Sequence, residues 1–149
     1  MYRVVKGRKG MRGAFTLMEL MIVIIILGLL ASLILPNLMG KGEEAKRKLV
    51  CVQMKGVSES LKMFKLDNGI YPTTEEGLQA LITNPSEEEY PSYAPNAYLE
   101  GKNLPKDSWK NEFIYINNGN DFDLISLGAD RKEGGEGDNA DIRFSECKF

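Results

Sequence analysis

The polar and apolar positions of this chain divide it unevenly. Sixteen residues from Leu20 to Leu35, LMIVIIILGLLASLIL, carry large apolar side chains at all but Gly28, Ala31 and Ser32. Read back to Phe15, the stretch is 21 residues long. That matches the roughly 20 residues a helix needs to cross a hydrocarbon core of about 30 Å. Beyond it the pattern becomes periodic. Val50, Met54, Val57, Leu61 and Phe64 fall at steps of 4, 3, 4 and 3, one apolar stripe on a helix predicted over Glu43–Leu66. Lys46, Lys48, Lys55, Glu59, Lys62 and Lys65 cover its other side, and Asp67-Asn68-Gly69 is a stop signal. Joined, the helical region runs Phe15–Leu66, 52 residues, or roughly 78 Å at the helical rise. Pro36 interrupts it. Lacking an amide donor, it either ends the membrane helix or makes a hinge within a longer one.

Shorter elements follow. Tyr71-Pro72 leaves the helix, and Thr73-Thr74-Glu75-Glu76 fits a capping box before a short helix through Gly77–Leu81. Residues 83–108 hold four Pro and three Tyr and read as a long structured loop, with Glu87–Glu89 a solvated face. Phe113–Ile116 has strand composition, Asn117-Asn118-Gly119-Asn120 is a hairpin signal, and Asp121–Leu127 alternates as the partner strand. The predicted class is α+β: a long helix packed on a small antiparallel sheet. Trp109 and its neighbouring aromatics read as packing rather than as a ligand platform.

Charge separates the parts further. The chain has 19 Lys+Arg against 21 Asp+Glu, a net charge of −2. Residues 1–14 hold five of the bases and no acid, leaving 14 bases against 21 acids and a net of −7 beyond them. A basic leader before an apolar helix stays on the cytoplasmic side and sends the acidic body across. A secretory signal peptide is a poor fit, because Ser32-Leu33-Ile34-Leu35-Pro36 offers no clean small-residue cleavage site. The absence of His removes His-based triads and His-containing zinc sites, and two Cys cannot build a Cys₄ site. The charge balance gives no support for nucleic-acid binding. Acidic clusters without a nucleophile and base give an enzyme little support.

Two features carry candidate chemistry. Glu19 stands near the start of the apolar run, where a lone carboxylate costs roughly 2.5–3.5 kcal/mol at mid-membrane. A plain anchor has no use for it. It makes sense if it meets a positive charge, such as a new N-terminal ammonium exposed by cleavage just upstream. The second feature is Asp130–Asp141, twelve residues with five acids, three Gly and two bases. Calcium takes six to eight oxygens from carboxylates and carbonyls. The spacing is not an EF-hand, and composition alone leaves both a cation site and a solvated surface loop open.

Arg12-Gly13-Ala14-Phe15-Thr16-Leu17-Met18-Glu19-Leu20 resembles the leader junction of type IV pilins and pseudopilins. The family usually has Gly directly before the new N-terminal Phe, whereas Ala14 stands there in this chain, so cuts after Gly13 and after Ala14 both come into question. Counted from Phe15, Glu19 is fifth, Gly28 fourteenth and Pro36 twenty-second, all matching the family pattern. The cut is therefore expected between Ala14 and Phe15, with N-methylation of the Phe15 amine implied by the resemblance. Tyr71–Leu81, Leu104-Pro105-Lys106-Asp107 with Trp109, and Ser126–Asp130 through Gly134–Asp138 to Asp141-Ile142 are similar to the major pseudopilins of type II secretion systems. A surface or DNA-uptake type IV pilin is the competing reading, since it shares the N-terminal motif.

The resemblance implies a pilin-like fold in three parts: a cleaved leader 1–14, a transmembrane and assembly helix 15–40, and a periplasmic domain 41–149. It implies calcium held by the Asp130, Asp138 and Asp141 side chains, with Leu127 and Lys132 as carbonyl donors. Arg131-Lys132 departs from the small or neutral residues usual there. It implies a single-pass inner-membrane protein that assembles into a helical homopolymer in the periplasm. The partners implied are a prepilin peptidase, minor pseudopilins, a platform protein and an assembly ATPase. In such an oxidising compartment Cys51 and Cys147 pair if the tail folds back on the helix, and otherwise remain two thiols.

Overall fold

The computed structural model describes Tyr2 and residues 13–149, and for residues 35–39 the backbone alone. The leader residues 1 and 3–12 lie outside the described residues. Contacts divide the chain into two units, one ending at Gly40 and the other spanning Lys41–Phe149.

A single helix, α1, spans Leu17–Asn68. It includes Pro36, so the helix-ending reading of that residue is corrected. Proline deletes one backbone hydrogen bond at a cost of about 3 kcal/mol, and the turns on either side remain helical. In the first unit α1 begins with a reciprocal cap. The Thr16 amide donates to Glu19 Oε2 at 3.3 Å, and the Glu19 amide donates to Thr16 Oγ1 at 3.2 Å. This is the Thr-x-x-Glu capping box.

In the second unit the stripe Val50, Met54, Val57, Leu61 and Phe64 is buried to 2 % exposure or less. It forms one core with Leu78, Leu81, Tyr90, Phe113, Tyr115, Phe122, Leu124 and Ile142. α1 ends at Gly69, whose φ of 85° is the left-handed conformation glycine adopts without strain. Its amide donates to the Lys65 carbonyl at 2.7 Å.

The sheet is antiparallel in the order β1-β2-β3: β1 Ile114–Asn117, β2 Phe122–Ser126 and β3 Ile142–Arg143. Asn117 pairs with Phe122, so the hairpin loop has four residues, Asn118–Asp121. The second box is formed as well: the Thr73 amide donates to Glu76 Oε2 at 2.8 Å and the Glu76 amide to Thr73 Oγ1 at 3.2 Å. The turn after it, Gly77–Leu81, is 3₁₀ rather than α-helical.

The proline- and tyrosine-rich loop is ordered by Phe64. Its ring meets Tyr90, Tyr98 and Tyr93 at centroid distances of 5.0, 5.3 and 6.0 Å. Each tyrosine hydroxyl then finds a polar partner: Glu76 for Tyr90, the Ala80 carbonyl for Tyr93, Asp67 for Tyr98. Burial raises the phenol pKa of all three, and the neighbouring carboxylates add to the rise at Tyr90 and Tyr98.

Candidate functional site

The membrane-side candidate lies wholly in the first unit. The window Leu17–Ile34 has a mean hydropathy of 2.8, and none of it is buried within the chain. An apolar helix that covers nothing of its own chain needs lipid or other protein around it. Gly13, Ala14 and Phe15 precede α1 and are exposed, Phe15 at 88 %. Glu19 is exposed, and its carboxylate turns back to the Thr16 amide, one residue from Phe15. The sequence reading missed this local role, although Thr16 and Glu19 have the spacing recognised at Thr73 and Glu76.

The acidic candidate lies in the second unit, and its two ends are held. At the leading end Asp107 is buried at 4 % exposure, yet fully engaged. Its Oδ1 accepts the Trp109 and Asn111 amides at 2.9 and 2.8 Å, and its Oδ2 accepts the Ser126 hydroxyl at 2.7 Å. A buried carboxylate is tolerated when its lone pairs are taken in this way. Ser126 Oγ then accepts the Gly128 amide at 3.3 Å, fixing the entry into the loop. At the trailing end Arg47 of α1 donates through Nη1 to the Ala140 carbonyl at 2.8 Å and the Asp138 carbonyl at 3.4 Å. Cys51, one helical turn on, is bridged to Cys147 with Cα atoms 5.7 Å apart. Trp109 Nε1 donates to Glu43 Oε2 at 3.2 Å, and Ser108 Oγ to the Lys46 carbonyl at 2.9 Å. The Lys46 hydrogen bond lowers the Glu43 pKa; burial opposes it, and the Trp109 bond and the Lys46 charge add to the lowering. The turn Glu43–Cys51 is thus the surface on which the loops rest.

Between its fixed ends the loop is exposed and tightly folded. Asp130 Oδ1 accepts the Lys132 amide at 3.1 Å, and Asp141 Oδ2 accepts the Gly134 amide at 3.0 Å. Gly135 has φ 87°, and a Cβ there would collide with the Asn139 carbonyl, so only glycine fits.

Asp141 Oδ1 is buried without a hydrogen-bond partner. Of the three such side-chain oxygens among the described residues, the others are Ser58 Oγ and Asn68 Oδ1, so this is the charged one. A buried, unpaired carboxylate oxygen is costly, and a hard cation would relieve it. The donor chemistry of Asp130, Asp138, Asp141 and the carbonyls of Leu127 and Lys132 fits calcium. Among the described residues, however, no three acidic or cysteine side chains converge closely enough to hold a metal. Among these donors, the oxygen that is buried without a partner is Asp141 Oδ1.

A long helix whose apolar half buries nothing of its own chain, leading into a domain built on a three-stranded antiparallel sheet, is the build of a pilin-like filament subunit. The family described as Type II secretion system (T2SS), protein G matches residues 37–145, and the chain belongs to that family. It is 45 % identical over 130 residues to the type II secretion system core protein G of Vibrio cholerae serotype O1, covering 86 % of this chain and 88 % of that protein. To the Escherichia coli K12 core protein G it is 43 % identical over 138 residues, covering 90 % and 93 %. The crystal structure of the major pseudopilin from the type 2 secretion system of enterohaemorrhagic Escherichia coli matches with a TM-score of 0.61 at 35 % identity. That match covers 72 % of this chain and 93 % of that one.

Proposed function

We infer that this chain is the major pseudopilin subunit that polymerises into the periplasmic pseudopilus of a type II secretion system and so drives folded proteins across the outer membrane. The observation that carries this reading is an unburied 18-residue apolar window, Leu17–Ile34, joined to a domain of the protein G family. The family match extends through the C-terminal region to residue 145, the part that separates pseudopilins from surface pilins with the same N-terminal motif.

The role is mechanical. The leader addresses the precursor and sets its topology in the inner membrane. A prepilin peptidase cuts between Ala14 and Phe15, and the new Phe15 amine is N-methylated. A platform protein and an assembly ATPase draw subunits out of the membrane, and minor pseudopilins form the tip. Glu19 aligns the incoming helix by meeting the Phe15 ammonium of a neighbouring subunit. Its bond to the Thr16 amide, one residue from Phe15, supports this. Pro36, within α1, serves as the hinge.

Calcium would be held by Asp130, Asp138 and Asp141 with the carbonyls of Leu127 and Lys132, offsetting the repulsion of the loop's carboxylates. The unpartnered Asp141 Oδ1 supports this assignment. The test of assembly is fibre formation on overproduction, with mass spectrometry of the mature subunit. Wild type should give periplasmic fibres and a methylated N-terminus at Phe15. Glu19→Lys should be cleaved normally and give none; fibres of normal length from that variant would refute the role of Glu19, and a chain starting at Ala14 would refute the cleavage register.

A further inference from the structure

Two contacts from one helical turn hold the far side of the acidic loop. Arg47 grips the Asp138 and Ala140 carbonyls, and Cys51 is bridged to Cys147. The contacts fall on either side of β3, Ile142–Arg143, and of Asp141 with its unpartnered Oδ1. Arg47 and Cys51 are four residues apart and share a face of α1. They reach residues 91 to 96 positions away in sequence, so each closes a long loop.

We propose that Arg47 and the Cys51–Cys147 bridge form a two-point clamp that pre-positions the Asp138–Asp141 arm for calcium, so that calcium binding and bridge formation reinforce each other. This rests on the calcium reading given above.

The physical reason is ordering entropy. With the bridge open, only Arg47 and the β3 pairing hold the arm, calcium must order what these leave free, and that cost weakens binding. With the bridge closed, the cost is already met. Linkage makes the effect reciprocal: if closure tightens calcium by some factor, calcium favours closure by the same factor. Closing the bridge converts two thiols to one disulfide and releases two protons and two electrons. A disulfide oxidant takes up both, its own S–S bond breaking, and leaves as thiols. Arg47 acts through the carbonyls it holds, as a positioning residue and not as a ligand. The arrangement makes the acidic loop complete only where both calcium and an oxidant are present. The topology of the chain sends this domain to such a compartment.

The experiment uses the full chain in detergent. The Cys51–Cys147 equilibrium is measured by thiol trapping in a series of glutathione redox buffers, with millimolar calcium or with a chelator. Calcium affinity of the oxidised and reduced chain is measured by calorimetry. Calcium should shift the thiol–disulfide equilibrium toward the bridge, and the bridge should tighten calcium, by one common factor of about 5 to 150. Arg47→Gln should weaken calcium binding in the oxidised chain and reduce the redox shift, with partial rescue by Arg47→Lys. Calcium binding with no redox shift would overturn the clamp and leave the calcium site standing. No binding heat in either redox state would overturn the calcium reading and the clamp with it. The glutathione measurement uses wild-type protein, so it decides the matter even if Cys51→Ser with Cys147→Ser fails to fold.

Discussion

Glu19 serves two ends that one substitution can separate. Its carboxylate caps the first turn of α1 through the Thr16 amide, and its charge is assigned to the neighbouring Phe15 ammonium. Glutamine keeps a capping acceptor but loses the charge. Glu19→Gln should therefore retain the helix start in detergent, read by amide exchange at Thr16, yet fail to assemble; normal assembly would leave only the cap. Gly135 offers a second test at this scale. Because a Cβ would strike the Asn139 carbonyl, Gly135→Ala should abolish the calcium-dependent rise in Tm while leaving the Val50–Phe64 core folded. An unchanged calcium response would show that the loop's fold has no bearing on the cation. The Thr16–Glu19 cap was legible in the sequence by the same spacing as Thr73–Glu76. In an apolar run the carboxylate's charge is the stronger signal, and it masks the reach of the side chain to the Thr16 amide.

At the scale of elements, the apolar stripe Val50–Phe64 was fully legible, because a period of 3.6 leaves a one-sided signal that burial then enforces. The hairpin was legible in its turn residues. β3 was not, since two residues have no periodicity and their pairing with Ile125 and Ser126 is fixed by the loop before them. Arg47 was equally silent: a lysine-rich helix face gives no sign that one guanidinium bonds carbonyls 91 and 93 residues away. Phe64 joins α1 to the tyrosine loop, so Phe64→Ala should cost about 3–5 kcal/mol, measured by urea unfolding of the detergent-solubilised chain. A loss below about 1 kcal/mol would mean the loop does not depend on that ring.

The tyrosines also predict a pH dependence. Burial raises the Tyr90 and Tyr115 phenols well above their usual value, while in the unfolded chain they titrate near 10. Unfolding thus favours the phenolate. This contribution to stability is intact below pH 10 and is lost as pH rises from there toward the folded values. Thermal melts between pH 8 and 12, followed by tyrosinate absorbance, should show Tm falling above about pH 10, less steeply for Tyr90→Phe. A flat profile would contradict the burial described.

At the scale of the molecule, an acidic domain that folds on its own core is joined to an apolar helix that buries nothing. The net charge of −2 conceals this, because the five basic residues among positions 1–14 offset an acidic remainder. The family was legible because its motifs lie in order along most of the chain. The clamp was not, since it depends on which distant residues meet. If calcium completes the domain, EDTA should lower its Tm reversibly, and added calcium should restore it. The central claim concerns export, and secretion tests it directly. The gene is deleted in its own bacterium, and folded exoproteins are assayed in the medium and in the periplasm. Deletion should strand exoproteins in the periplasm; wild type should restore export and Glu19→Lys should not. Undiminished export from the deletion strain, with no second copy of the gene present, would contradict the assignment.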